Sequence, residues 1–177
     1  MHGTAQRKRR RYYPFRRRTK PGAAPGTIAV DPQAHPTGID LFAYRRDAFL
    51  EERNVDVESV RGHVGHWPVV WVNVEGLADA TVVRAIGELF SLHPLALEDV
   101  VNVHQRPKVD AYDGQLFIVS RMVTVEHDEI ETEQLSMFVG TGFVVTFQER
   151  PGDVLDPVRE RIRAGAQLRG LGPDYLA

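Results

Sequence analysis

"PVVWVNVEGLADATVVRAIGELF", Pro68 to Phe90, decides the fold class. Six of its first seven residues are apolar, with β-branched side chains prominent and turn residues on either side, a pattern that predicts a buried strand. After a short link, Val82, Val83, Ile86, Leu89 and Phe90 recur at helical spacing, and Asp79 stands where a helix N-cap belongs. A strand followed so closely by an amphipathic helix places that helix over one face of a sheet.

On the N-terminal side, Thr27–Val30 and Ile39–Tyr44 predict short strands separated by the turn-prone "DPQAHPTG", and "RDAFLEER" predicts a short helix. On the C-terminal side, "PKVDAY" and "QLFIVSRMVTV" predict strands joined by Asp113-Gly114, the dipeptide that favours a two-residue type I′ turn. "ETEQLSMFVG" and "FVVTFQE" form a second pair joined at Gly140-Thr141-Gly142. These four strands make an antiparallel meander. "DVLDPVRERIRAG" then predicts a helix, with Asp156 as its cap before Pro157, Val158 and Ile162 facing inward, and Arg159, Arg161 and Arg163 on a solvated face. The predicted class is α/β, with a mixed, largely antiparallel sheet and helices on its faces.

Composition narrows the function. At 177 residues the chain is long enough for one domain with a substantial core. The absence of cysteine excludes disulfides, thiolate metal sites and cysteine nucleophiles. Apolar runs such as "PVVWV" fall far short of the ~20 residues needed to cross a bilayer. The basic N-terminus has no apolar segment behind it, so no secretory signal is read and a soluble, cytoplasmic domain is expected. The net charge of −2 hides a division, because residues 1–20 hold 9 of the 22 Lys and Arg and none of the 24 acids. We expect residues 1–25 to form a basic, disordered tail and linker, and residues 26–177 to form the acidic folded domain. The tail alone fits a nucleic-acid or anionic-lipid binding module; nothing in the folded part supports a nucleic-acid partner.

The stretch "HPLALEDVVNVHQRPK", His93 to Lys108, interrupts an apolar run with two adjacent carboxylates. Pro94 suits the first turn of a short helix. At 100° per residue, Leu97, Val100, Val101 and His104 share an inward stripe, while Leu95, Glu98, Asp99 and Asn102 face away. Adjacent carboxylates on a helix diverge by roughly 100° and do not chelate one ion by themselves. Most acidic helix faces are simply solvated; this one also suits a hard cation such as Mg²⁺, which often takes only one or two carboxylates and keeps several waters.

That stretch resembles the signature region of the CorA family of magnesium and cobalt transporters. So do Ala24-Pro25-Gly26-Thr27, Asp56–Ser59, Phe147–Glu149, Gly152–Arg163 and Asp174–Leu176, in the family's order. The resemblance runs over nearly all of residues 24–176, about the first half of a family member. It implies an α/β/α sandwich on the cytoplasmic side of the inner membrane, at the mouth of a homopentameric channel. It implies no catalytic residues. Glu98 and Asp99 fall where the family's acids contribute to regulatory Mg²⁺ sites between neighbouring subunits, with Co²⁺ as a possible second ion. The family's membrane helices, Gly-Met-Asn pore motif and long stalk helix have no counterpart among these residues. The partner carboxylates of those sites lie beyond position 177, so weak Mg²⁺ binding is expected. A domain of a related zinc-exporting transporter is the neighbouring alternative.

Other constellations carry less. His63 and His66 have no third ligand nearby in sequence and read as a surface loop. His93 reads as a packing or capping residue, and His104 as a core histidine. Gln105, Arg106 and Lys108 read as residues that fix the helix-to-strand junction through contacts with the acidic body. A metal-dependent hydrolase using Glu98, Asp99 and a histidine rests only on acid and histidine content. No P-loop, nucleophile elbow or complete dinucleotide fingerprint is present.

Overall fold

The computed structural model describes residues 22, 24–126, 129–165 and 167–177. Residues 1–20, read as a basic tail, lie outside the described residues. Seven strands form one sheet: β1 (Gly38–Arg45), β2 (Ala48–Glu52), β3 (Val69–Glu75), β4 (Lys108–Tyr112), β5 (Gln115–Glu126), β6 (Glu129–Gly140) and β7 (Phe143–Gln148). Their order is β2-β1-β3-β7-β6-β5-β4. Every neighbouring pair is antiparallel except β3 and β7, which run parallel with Val72 opposite Val145. The mixed, largely antiparallel sheet and the four-strand meander are therefore as expected.

Helices cover both faces. On the first, α1 (Val57–His63), α2 (Ala80–Leu89) and α3 (Pro94–Val101) bring Val60, Val83, Ile86, Leu97 and Val100 against Leu41, Val72, Phe117, Phe138 and Val145. On the second, α4 (Asp156–Arg163), a 3₁₀ turn at Gln167–Gly170 and α5 (Pro173–Leu176) bring Ile162, Leu168 and Leu176 against Phe42, Tyr44, Trp71 and Val144. This division follows from the period-2 alternation along β1 and β3, which sends successive side chains to opposite cores.

Two predicted elements differ. Thr27–Val30 is not a strand; it is irregular, and its Ile28 and Val30 pack on the first core. "RDAFLEER" is not a helix, because Ala48–Glu52 pairs with β1 as a hairpin. Leu50 packs on the first core, while Glu51 bonds Arg163 of α4. Within a sheet, this period-2 placement outweighs the helix propensity of Leu and Glu. Helix α1, the 3₁₀ turn and α5 carried no prediction. Asp56 caps α1, its carboxylate accepting from Ser59 N–H at 2.8 Å.

Of the three arginines of α4 expected on a solvated face, Arg161 is exposed, but Arg159 and Arg163 are engaged with the body. Arg159 is buried, its guanidinium meets both Asp153 oxygens at 2.6 Å, and it lies 5.2 Å from the Trp71 ring centre. Arg163 bonds both oxygens of Glu51. Asp156 is the first residue of α4, and Leu155 occupies the cap position.

β5 and β6 outrun their neighbours. Their ladder runs from Leu116↔Val139 to Glu126↔Glu129, yet β4 pairs only as far as Val119 and β7 only as far as Leu135. The rest is a two-stranded ribbon.

Candidate metal-binding ridge on helix α3

Helix α3 starts where Pro94 predicted. His93 caps it, Nδ1 accepting from Leu95 N–H at 3.3 Å, and its ring stacks on Tyr112 at 4.3 Å between centroids. Ala96, Leu97, Val100 and Val101 are buried, while Leu95 is exposed. Leu97 presses on α2 at Gly87, where any Cβ would collide with its Cδ1. The helix ends at Val101, one residue before the expected stripes would continue. Asn102 is consequently buried and His104 exposed, the reverse of the sequence reading.

Glu98 and Asp99 stand partly exposed on the outer side, as expected. The structure engages each with a different partner. Glu98 Oε2 accepts from Gly26 N–H at 3.0 Å. Gly26 has φ +80°, and a Cβ there would lie 2.8 Å from Pro94 Cβ, so this crossing over α3 requires glycine. Asp99 Oδ2 accepts from Lys108 Nζ at 2.7 Å, and Lys108 reaches Asp110 Oδ2 at the same distance. Burial alone would lower the Lys108 pKa, but the bonds to Asp110 and Asp99 raise it above its ordinary value. One ammonium thus serves two carboxylates. Lys108 fixes the helix-to-strand junction as expected, and Arg106 is exposed.

The ridge is held by a residue the sequence reading missed. Gln134 on β6 is 2% exposed, yet its amide joins three groups. Its Nε2 donates to Asp99 O and Ser136 Oγ, both at 3.0 Å, and its Oε1 accepts from Gln105 N–H at 2.9 Å. Arg121 on β5 donates to Val103 O and Gln105 O. The signal was available: Gln134 falls on the same strand face as the core residue Phe138, where an uncharged amide needs buried partners.

Carboxylate oxygens suit a hard divalent cation. Among the described residues, however, no three His, Asp or Glu side chains gather into a group able to hold a metal ion. Glu98 and Asp99 are a pair of donors with local partners; further ligands would come from water or another chain. His63 ends α1, with Nε2 3.7 Å from Glu52 Oε2, and His66 is exposed. No described helix is long and apolar enough to cross a membrane.

Residues 68–173 match the family model described as "CorA-like Mg2+ transporter protein". The chain is 41% identical over 161 residues to the cobalt/magnesium transport protein CorA of Thermotoga maritima, covering 89% of this chain and 46% of that protein. It thus spans about half the length of that curated relative. Among solved structures, the complete CorA magnesium transporter from Methanocaldococcus jannaschii superposes with a TM-score of 0.53 at 9% identity, over 78% of this chain and 38% of that one. The full-length CmaX protein gives 0.55 at 16% identity, over 76% and 40%. These last two likenesses concern the fold alone. By its family match, this chain belongs to the CorA-like Mg²⁺ transporter family.

Proposed function

We propose that this chain is the cytoplasmic Mg²⁺-sensing domain of a CorA-type divalent-cation channel that carries Mg²⁺ and Co²⁺ across the inner membrane. Glu98 and Asp99 contribute to regulatory Mg²⁺ sites between neighbouring subunits of a homopentamer. The carrying observation is the build of α3: an apolar side sunk in the core, and two carboxylates left partly exposed on a ridge that Gln134 holds in place. Within one protomer the ridge supplies only part of a hard cation's coordination, so a neighbour's surface is the natural source of the rest. Acidic surfaces repel when apposed without cations. An ion that binds better to the packed arrangement than to the parted one biases the assembly toward the packed, closed state. The domain itself performs no catalysis in this reading.

The test is transport by the full-length protein with Glu98→Gln and Asp99→Asn. Inhibition by internal Mg²⁺ should shift to higher concentration. A normal inhibition midpoint in the double variant would remove these residues from the sensor.

A further inference from the structure

From residue 21 to residue 177 the Lys and Arg side chains are twelve arginines and one lysine, Lys108. Two arginines of α4 show why the difference matters. Arg159 meets both oxygens of Asp153, and Arg163 both oxygens of Glu51. Such forked pairs are planar and held by two bonds, whereas a lysine brings a hydrated point charge on a flexible stem. Within that span, lysine stands only beside the ridge, where a cation that can move faces the acids.

The geometry gives this cation two resting places. Nζ lies 2.7 Å from Asp99 Oδ2, 2.7 Å from Asp110 Oδ2 and 5.4 Å from the centre of the Phe117 ring. Asp99 belongs to α3, but Lys108 and Asp110 share one face of β4, and Phe117 of β5 lies directly opposite Asp110. When the bond to Asp99 parts, the ammonium keeps a carboxylate and an aromatic face on its own sheet. The three charged side chains are between 22% and 38% exposed, so ions reach them without unfolding.

A divalent cation on Asp99 upsets this balance. Mg²⁺ sits roughly 2.0–2.1 Å from a carboxylate oxygen it binds. On either oxygen of Asp99 it would crowd Nζ, and charges of the same sign repel strongly at such range.

Resting on the ridge reading above, we propose that Lys108 is a tethered counter-ion which Mg²⁺ displaces from Asp99, and that Asp110 takes the displaced ammonium. Binding is then an exchange rather than an addition. Lys108 neutralises Asp99 while the ion is absent, and its competition sets the Mg²⁺ concentration at which the ridge fills.

The test is the midpoint of Mg²⁺ inhibition in the full-length protein, with Lys108→Met, Lys108→Arg and Asp110→Asn compared with Asp99→Asn. Lys108→Met removes the competitor and should lower the midpoint roughly two- to fivefold, the worth of a partly exposed ion pair. Lys108→Arg keeps the charge but can grip Asp99 as a fork, and should raise the midpoint. Asp110→Asn removes the second resting place and should raise it as well. That rise should shrink in the Lys108→Met background, because Asp110 acts through Lys108. A Lys108→Arg midpoint equal to or below the parent's would make Lys108 a fixed background charge and overturn the exchange. An Asp110→Asn shift of the same size in both backgrounds would overturn it too, since Asp110 would then act on the ion directly. A midpoint moved by Asp99→Asn but by no change at Lys108 removes the exchange and leaves the ridge as the sensor. If Asp99→Asn itself moves nothing, the ridge reading fails and the exchange falls with it.

Discussion

Lys108 occupies the place that a cation between Asp99 and Asp110 would take, with Nζ 2.7 Å from each. Replacing it by methionine leaves two carboxylates facing each other across the junction of α3 and β4. Without divalent cations, Lys108→Met should lower stability by about 1 kcal/mol, since all three groups are partly exposed. With Mg²⁺ present, the variant should gain more thermal stability than the unaltered chain, because a ligand that binds only the native state stabilises it by mass action. Melting curves over a Mg²⁺ series check this; equal responses in both proteins would show that Asp99 does not accept the ion. The outward placement of Glu98 and Asp99 was legible because it needs only the helical period. Their partners were not, since Gly26 lies 72 positions from Glu98. Arg159 was misread for a similar reason. Its burial depends on Asp153 and on Trp71 of strand β3, whereas α4 alone presents it as one arginine in a charged row.

Among the elements, α3 owes its position to two kinds of contact. Its buried side packs on α2 at Gly87, and its C-terminal end is bonded to the ribbon by Gln134. Gln134→Leu keeps similar bulk but leaves Asp99 O and Gln105 N–H without this partner. It should cost roughly 1–3 kcal/mol in urea denaturation, the usual penalty for stranding buried polar groups. Hydrogen exchange should locate the loss at the Gln105 amide. A cost near zero, with Gln105 still protected, would mean that packing at Gly87 alone positions the ridge. The elements most legible in sequence, β3, α2 and the β4–β5 hairpin, each carry local signals. Asp79 caps α2, and Asp113 and Gly114 have φ of 44° and 82°, as a type I′ turn requires. The β2 segment lacked such a signal, because Ala48–Glu52 fits a helix until β1 is present to pair with it. The end of α3 was equally hidden; Asn102 leaves helical geometry at ψ 72°, so extending the 100° rotation misplaced Asn102 and His104.

At the scale of the whole molecule, the fold is joined by ionic contacts between elements far apart in the chain. Glu51 on edge strand β2 meets Arg163 of α4, 112 positions away, at 2.7 and 2.8 Å. The parallel joint of β3 with β7 is also long-range, pairing Val72 with Val145, and no local pattern announces it. These long links give the molecule a characteristic acid response. The Arg163 guanidinium holds Glu51 at a pKa of about 2, down from an ordinary 4.5. Burial raises Asp153, but bonding to Arg159 outweighs it and leaves the net pKa below its ordinary value. A depressed carboxylate stabilises the fold above its unfolded pKa and loses that contribution as pH falls toward its folded one. Glu75 and Glu133 act in the opposite sense, since burial raises both, and their protonation in mild acid favours the native state. Stability should therefore hold or rise slightly between neutral pH and about 5, then fall steeply below about 4.5. Glu51→Gln separates the contributions: it should be less stable than the parent at neutral pH, with the gap closing as pH falls from about 4.5 to about 2. Urea midpoints measured across that window supply the check. If the gap kept its neutral-pH size down to the lowest pH at which both chains fold, the bond between β2 and α4 would contribute nothing through its charge, and packing alone would hold that edge of the sheet.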